Sequence, residues 1–296
     1  MRPPVPKRHT AGWLVALAVV VVAVVVWGVL SANRRDPAYL GVEPHCQATL
    51  ADGRQASLTL EQAANASLIA GVAATRSLEP RAVSIALATA FQESGIRNLD
   101  YGDLDSLGLF QQRPAAGWGT PEEIMNPYYS TNKFFDAMVQ LPNWAWADIG
   151  DIAQEIQRSA FPDAYDQHVE RARILASALS GQTEAAWSCH VPQPGPADPD
   201  GLAQALSLTY GWVLTAIESS PADPENGVGA RTAFQAASPA AAWSAAAFAL
   251  ARASDYGVRQ VEVGQADWTG QPDVLAGWTR QATGADPASL TIVYRV

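Results

Sequence analysis

The chain has 296 residues and carries a formal net charge of −10, with 48% hydrophobic residues. That length allows one or two domains beyond any anchoring segment. The acidic balance excludes a nucleic-acid partner, because no basic stripe is present to neutralise phosphates. The four histidines, His9, His45, His168 and His190, are scattered without ligand spacing, so the sequence indicates neither a metal site nor a cofactor.

In chain order, residues 1–11 read as a cytoplasmic tail with Arg2, Lys7 and Arg8. Residues 12–32 carry no charge and are dominated by Val, Ala and Leu. About 20 apolar residues span a bilayer as a helix. Trp13 and Trp27 stand near the two ends, where amphipathic rings prefer the interface. The stretch is therefore expected to be a single transmembrane signal anchor, with the bilayer as partner and the rest of the chain outside the cytoplasm. A cleaved signal peptide is the alternative, but its apolar region would be shorter.

Residues 33–58 are expected to form a tether and a hairpin, with Asp52-Gly53 as the turn signal. Thr59 and Gln62 make a capping box for a first helix. Pro80 opens a second helix that Gly95 closes. This second helix, from Ala82 to Phe91, has almost no polar face and should be buried. Glu93 lies in its last turn, where partial burial and the negative end of the helix dipole both disfavour a charged carboxylate. A general acid needs that setting; a solvated glutamate on a frayed helix end is the plainer alternative. Thr120-Pro121-Glu122-Glu123 starts another helix, Asn126-Pro127 restarts it, and further helices fall near 149–158 and 162–179. Residues 59–190 thus read as one helical domain.

Residues 191–200 contain four prolines and read as a stiff linker. Beyond it, residues 201–296 alternate helical and strand patterns, as a small α/β domain does. Helices are expected at 201–217, 239–256 and 273–281, and strands at 228–235, 258–263 and 290–296. Cys46 and Cys189 are the only cysteines. Outside the cytoplasm two cysteines favour a disulfide, here closing a loop of roughly 140 residues; two unrelated buried thiols are the alternative.

Ala88 to Pro114, ATAFQESGIRNLDYGDLDSLGLFQQRP, resembles the signature of the lysozyme-like lytic transglycosylases. That signature is a helix ending in Glu-Ser, a loop, and then Gly-Leu-(Met/Phe)-Gln. Here those residues are Glu93-Ser94 and Gly108-Leu109-Phe110-Gln111. Asn126 to Phe135 is similar to the family's next helix, and Ile156 to Tyr165 stands where the family carries Tyr-Asn-Ala-Gly. The resemblance covers about residues 59–181. It implies a mainly α, lysozyme-like domain and cleavage of the β-1,4 bond between N-acetylmuramic acid and N-acetylglucosamine in peptidoglycan strands.

By that resemblance Glu93 protonates the glycosidic oxygen. It then acts as base for the sugar's own 6-hydroxyl or for water. Ser94 and Gln111 orient Glu93 or the sugar. Tyr165 is a loose substitute for the family's tyrosine, and Tyr101, with Trp118, is a candidate stacking platform. Asp100, Asp103 and Asp105 lie in the intervening loop, where turn chemistry or a second catalytic carboxylate could explain them.

The C-terminal region distantly resembles a small α/β domain of exported bacterial proteins, in which an Ala-Trp helix leads to a strand ending in His-x-His. Ala242-Trp243 is present, but the last strand reads Leu290-Thr291-Ile292-Val293. The resemblance therefore implies a binding or spacer module without metal chemistry. The rival to an enzyme is a non-catalytic lysozyme-fold module that binds glycan or a cell-wall assembly partner.

Overall fold

A computed structural model describes residues 43–158, 162–282 and 284–296. The expected tail, the expected membrane span at 12–32 and the start of the tether lie outside these residues. Among the described residues no helix is long and apolar enough to cross a membrane.

The expected mainly α domain with a separate α/β domain does not form. Glu43–Val296 is one unit of mixed α/β structure with two antiparallel sheets. The first sheet has strand order β2-β1-β3, from β1 (His45–Thr49), β2 (Gln55–Thr59) and β3 (Trp187–His190). The second has six strands in the order β4-β5-β9-β6-β7-β8. These are β4 (Leu214–Ser220), β5 (Arg231–Ala236), β6 (Val258–Val263), β7 (Ala266–Thr269), β8 (Trp278–Arg280) and β9 (Ser289–Tyr294).

The helices are α1 (Leu60–Thr75), α2 (Pro80–Ser94), α3 (Pro121–Met125), α4 (Pro127–Val139), α5 (Ile149–Gln157), α6 (Asp166–Leu179), α7 (Pro199–Tyr210), α8 (Pro239–Ala251) and α9 (Ala253–Tyr256). Local chemistry sets many of their ends. Thr59 and Gln62 form the reciprocal capping box of α1, and Thr120 and Glu123 form that of α3. Asn126 accepts from the backbone N–H groups of Tyr128 and Tyr129 to start α4. Gly95, with φ +63°, closes α2 in the left-handed conformation that glycine adopts without a Cβ penalty.

Two segments differ from expectation. The helix expected to reach residue 217 stops at Tyr210, and Leu214–Ser220 pairs with β5 as an edge strand. Its strand pairing outweighs the helical pattern, which breaks at Gly211, where φ is +48°. The helix expected over 273–281 is an irregular segment leading into β8. Its carbonyls at Val274 and Ala276 instead accept from His190 Nδ1 and Ser188 Oγ of the first sheet.

These cross-contacts explain why the proline-rich segment does not divide the chain into separate bodies. Helix α1 is buried from Ala66 to Ala73 and packs against α2, α7 and α8. Gly71 permits the close crossing, since a Cβ there would lie 2.4 Å from Thr209 Cγ2 and 3.0 Å from the Tyr210 ring. At the same seam the half-buried Arg252 donates to Ser67 Oγ and to the Ala64 carbonyl, both at 2.9 Å, with its guanidinium over the Phe248 ring. Tyr128 and Thr209 join their hydroxyls at 2.9 Å across the same boundary. The expected Cys46–Cys189 disulfide is formed and ties β1 to β3.

A side chain at Gly71 must push α7 away. Gly71→Val should destabilise the fold by about 1–3 kcal/mol in chemical denaturation, as overpacking does.

Candidate functional site

The site is built on the end of α2. Residues Ala82–Phe91 are buried on every side, so the helix has no freedom to slide or roll. Its last turn is then fixed by polar contacts. Ser94 Oγ donates to the Leu109 carbonyl at 2.7 Å and also lies 3.1 Å from the Ala90 carbonyl. From α1, Gln62 Nε2 donates to the Gly95 carbonyl at 2.8 Å and Asn65 Nδ2 to the Ile96 carbonyl at 3.0 Å. Carbonyls that the helix end and its turn would leave open are thus taken up by α1.

The loop that follows returns to the helix. Leu99 bridges Gly108, and Leu107 bridges Gln112, so residues 107–112 form a tight turn facing the helix end. Gly108 sits at φ +78°, and a Cβ there would come 3.0 Å from the Ile124 carbonyl. Phe110 anchors the turn in the core by stacking on Phe134, with ring centroids 4.4 Å apart. Gln157 Nε2 of α5 donates to the Phe110 carbonyl at 2.7 Å.

Glu93 is half-buried, and Tyr165 is fully buried. The Tyr165 hydroxyl donates to Glu93 Oε1 at 2.5 Å, the length of a charge-assisted bond. Glu93 Oε2 has no hydrogen-bond partner among the described residues. One carboxylate oxygen is therefore held by the tyrosine while the other is left without a partner among the described residues.

The other expected site residues have their own contacts. Ser94 is buried and its hydroxyl is spent on backbone carbonyls, so it braces the end of the helix that carries Glu93. Gln111 folds back on its own loop, with Nε2 3.2 Å from the Tyr101 carbonyl and 3.3 Å from the Gly108 carbonyl. Tyr165 has no exposed surface to offer a substrate; it positions Glu93 instead. Tyr101 is 64% exposed and is free to stack on a ligand. Trp118 is partly buried against the core, and Trp146 is 76% exposed.

Asp105 is committed elsewhere. It takes Arg113 Nε at 2.6 Å and the Ala115 backbone N–H at 2.8 Å. The Arg113 guanidinium and that N–H hold its carboxyl below the usual carboxylate range.

Sequence reasoning missed a polar trio beside the helix end. His168 Nε2 lies 3.1 Å from Gln92 Oε1, which also accepts from Gln167 Nε2 at 3.3 Å. The His168 ring stacks on Phe91, and the Arg171 guanidinium lies 4.5 Å from the centroid of the same Phe91 ring. No spacing signal marks this trio, because α2 and α6 are far apart in the chain. Burial, and then the neighbouring Arg171 charge, push the His168 imidazole below the ordinary histidine range.

A scan against protein-family models finds no match for the chain, and a search of curated proteins finds none either.

Because the His168 pKa is depressed in the folded state, the unfolded chain takes up a proton first as the pH falls. Stability is therefore intact above the ordinary histidine value of about 6.5 and declines as the pH drops through it. His168→Gln should flatten that region of a stability–pH curve measured by urea unfolding.

Proposed function

We propose that this chain cleaves the β-1,4 glycosidic bond of peptidoglycan outside the cytoplasm, at the outer face of the cell membrane, as a lytic transglycosylase or muramidase. The observation that supports this most is the Tyr165–Glu93 contact. A buried phenol fixes one oxygen of a carboxylate that ends a sealed helix, and the other oxygen is left without a partner among the described residues. Such an arrangement suits a single acid that must deliver a proton and take one back. The disulfide between Cys46 and Cys189 supports the location, since such bonds persist in oxidising compartments.

In this reading Glu93 donates its proton from Oε2 to the glycosidic oxygen as the bond to the sugar breaks. The carboxylate left behind keeps the Tyr165 hydrogen bond, which stabilises its negative charge. It then accepts the proton of the attacking hydroxyl, either the sugar's own 6-hydroxyl or water. Tyr101 and Trp146 are exposed and can offer ring faces to the glycan.

Incubation of the chain with purified peptidoglycan should release anhydro-muropeptides or new reducing ends. Glu93→Gln should lower the rate by about 100-fold or more while glycan binding persists. Wild type and Glu93→Gln that bind glycan and release nothing would establish the non-catalytic module instead.

Tyr165→Phe removes one charge-assisted hydrogen bond and keeps the ring in the core. It should lower kcat by about 10- to 100-fold with KM little changed.

A further inference from the structure

Residues on the first sheet point to a second site, remote in chemistry from Glu93. His45 of β1 and His190 of β3 are register partners in the antiparallel pair, next to the Cys46–Cys189 disulfide. Strand alternation puts the two cysteines on the face that meets the helices and the two histidines together on the other. The imidazole centroids are 6.1 Å apart, with the planes tilted by 48°.

The hydrogen bonds of both rings are directional. His45 Nδ1 lies 2.8 Å from the Glu43 carbonyl, and His190 Nδ1 lies 3.1 Å from the Val274 carbonyl. A carbonyl can only accept, so both Nδ1 atoms carry the proton. In each neutral ring the lone pair is therefore on Nε2, and neither Nε2 has a hydrogen-bond partner among the described residues. Metal-ligating histidines are oriented in this way, with one ring N–H given to a carbonyl and the other nitrogen left for the ion.

We infer that His45 and His190 chelate one borderline divalent transition ion, Cu²⁺ or Zn²⁺, through their two Nε2 atoms. An ion about 2.0–2.1 Å from each nitrogen allows ring centroids up to about 6.4 Å apart. The observed separation lies within that limit. Among the described residues no group of three or more His, Cys, Asp or Glu could hold a metal, so the two imidazoles are the protein ligands of the proposed ion. The neighbouring disulfide fixes the strand register, which keeps the two rings paired before an ion arrives. The bound ion would cross-link β1 and β3 beside the existing covalent bond.

The test titrates the full, metal-free chain with Cu²⁺ and separately with Zn²⁺. Binding is followed by calorimetry, and nitrogen hyperfine coupling from Cu²⁺ by electron paramagnetic resonance. One saturable ion per chain with two imidazole nitrogens is expected, Cu²⁺ binding more tightly than Zn²⁺. His45→Ala should weaken binding about tenfold or more, and the same loss is expected for His190→Gln. His45 is only half-buried, so His45→Ala keeps the test informative if the buried His190 variant folds poorly. Thermal unfolding of wild type, but not of His45→Ala, should shift upward with added ion. Unchanged affinity in His45→Ala, a single coordinated nitrogen, or no saturable binding by wild type would overturn the assignment. None of these outcomes bears on peptidoglycan cleavage, which is read separately from Glu93→Gln.

Discussion

Burial of α2 from Ala82 to Phe91 decides where the polar groups at its end go. A helix packed on all sides cannot shift to satisfy its own last carbonyls, so its neighbours come to it. Gln62 and Asn65 reach over from α1 to the Gly95 and Ile96 carbonyls, and Ser94 reaches across to the returning loop at Leu109. With those groups settled, Glu93 is left with one partner, Tyr165, among the described residues. The position of the carboxylate is thus set by packing several residues away from it, and pre-organisation here is a consequence of core formation.

Helix α1 extends the same constraint to the rest of the molecule. One stretch of it braces the end of α2, while Ala64, Ser67 and Gly71 meet α7 and the Arg252 side chain. A buried guanidinium is costly, and its burial lowers its proton affinity. Here two oxygen acceptors on α1 and the face of Phe248 offset that cost. The six-stranded sheet and the helices that carry Glu93 consequently share one core, so a defect at the α1–α7 crossing would be felt at both.

What was legible in the sequence was local. The capping boxes at Thr59 and Thr120, the hairpin around Gly53, and the glycine stop at Gly95 each depend on residues within a few positions, and each formed as expected. The joined architecture was not legible. Strand β3 is short and pairs with β1 from far along the chain, and residues 273–277 are shaped by carbonyl contacts to His190 and Ser188 rather than by their own helical pattern. The site divides in the same way. Glu93 announces itself by its place after an apolar helix. The tasks of Ser94, Gln111 and Tyr165 depend on which atom lies opposite, and no spacing in the sequence encodes that. The His45–His190 pair was overlooked for the same reason, since only the strand register brings those two rings together.

The placement of the loop aspartates bears on the chemistry proposed for Glu93. Glycosidases commonly use two carboxylates whose separation sets the stereochemical outcome. Asp105 could serve only by leaving Arg113 and the Ala115 N–H, which together favour its charged, bound form. Asp100 and Asp103 are exposed, and neither carboxylate has a hydrogen-bond partner among the described residues to hold it in place. A catalytic group needs positioning as well as charge. Of these four carboxylates only Glu93 is both held and half-open, so the proposed reaction takes its second group from the substrate rather than from a loop aspartate. An acetamido oxygen or a 6-hydroxyl on the sugar meets that need, and the lytic transglycosylases that residues 88–114 resemble are a family that can manage with one glutamate.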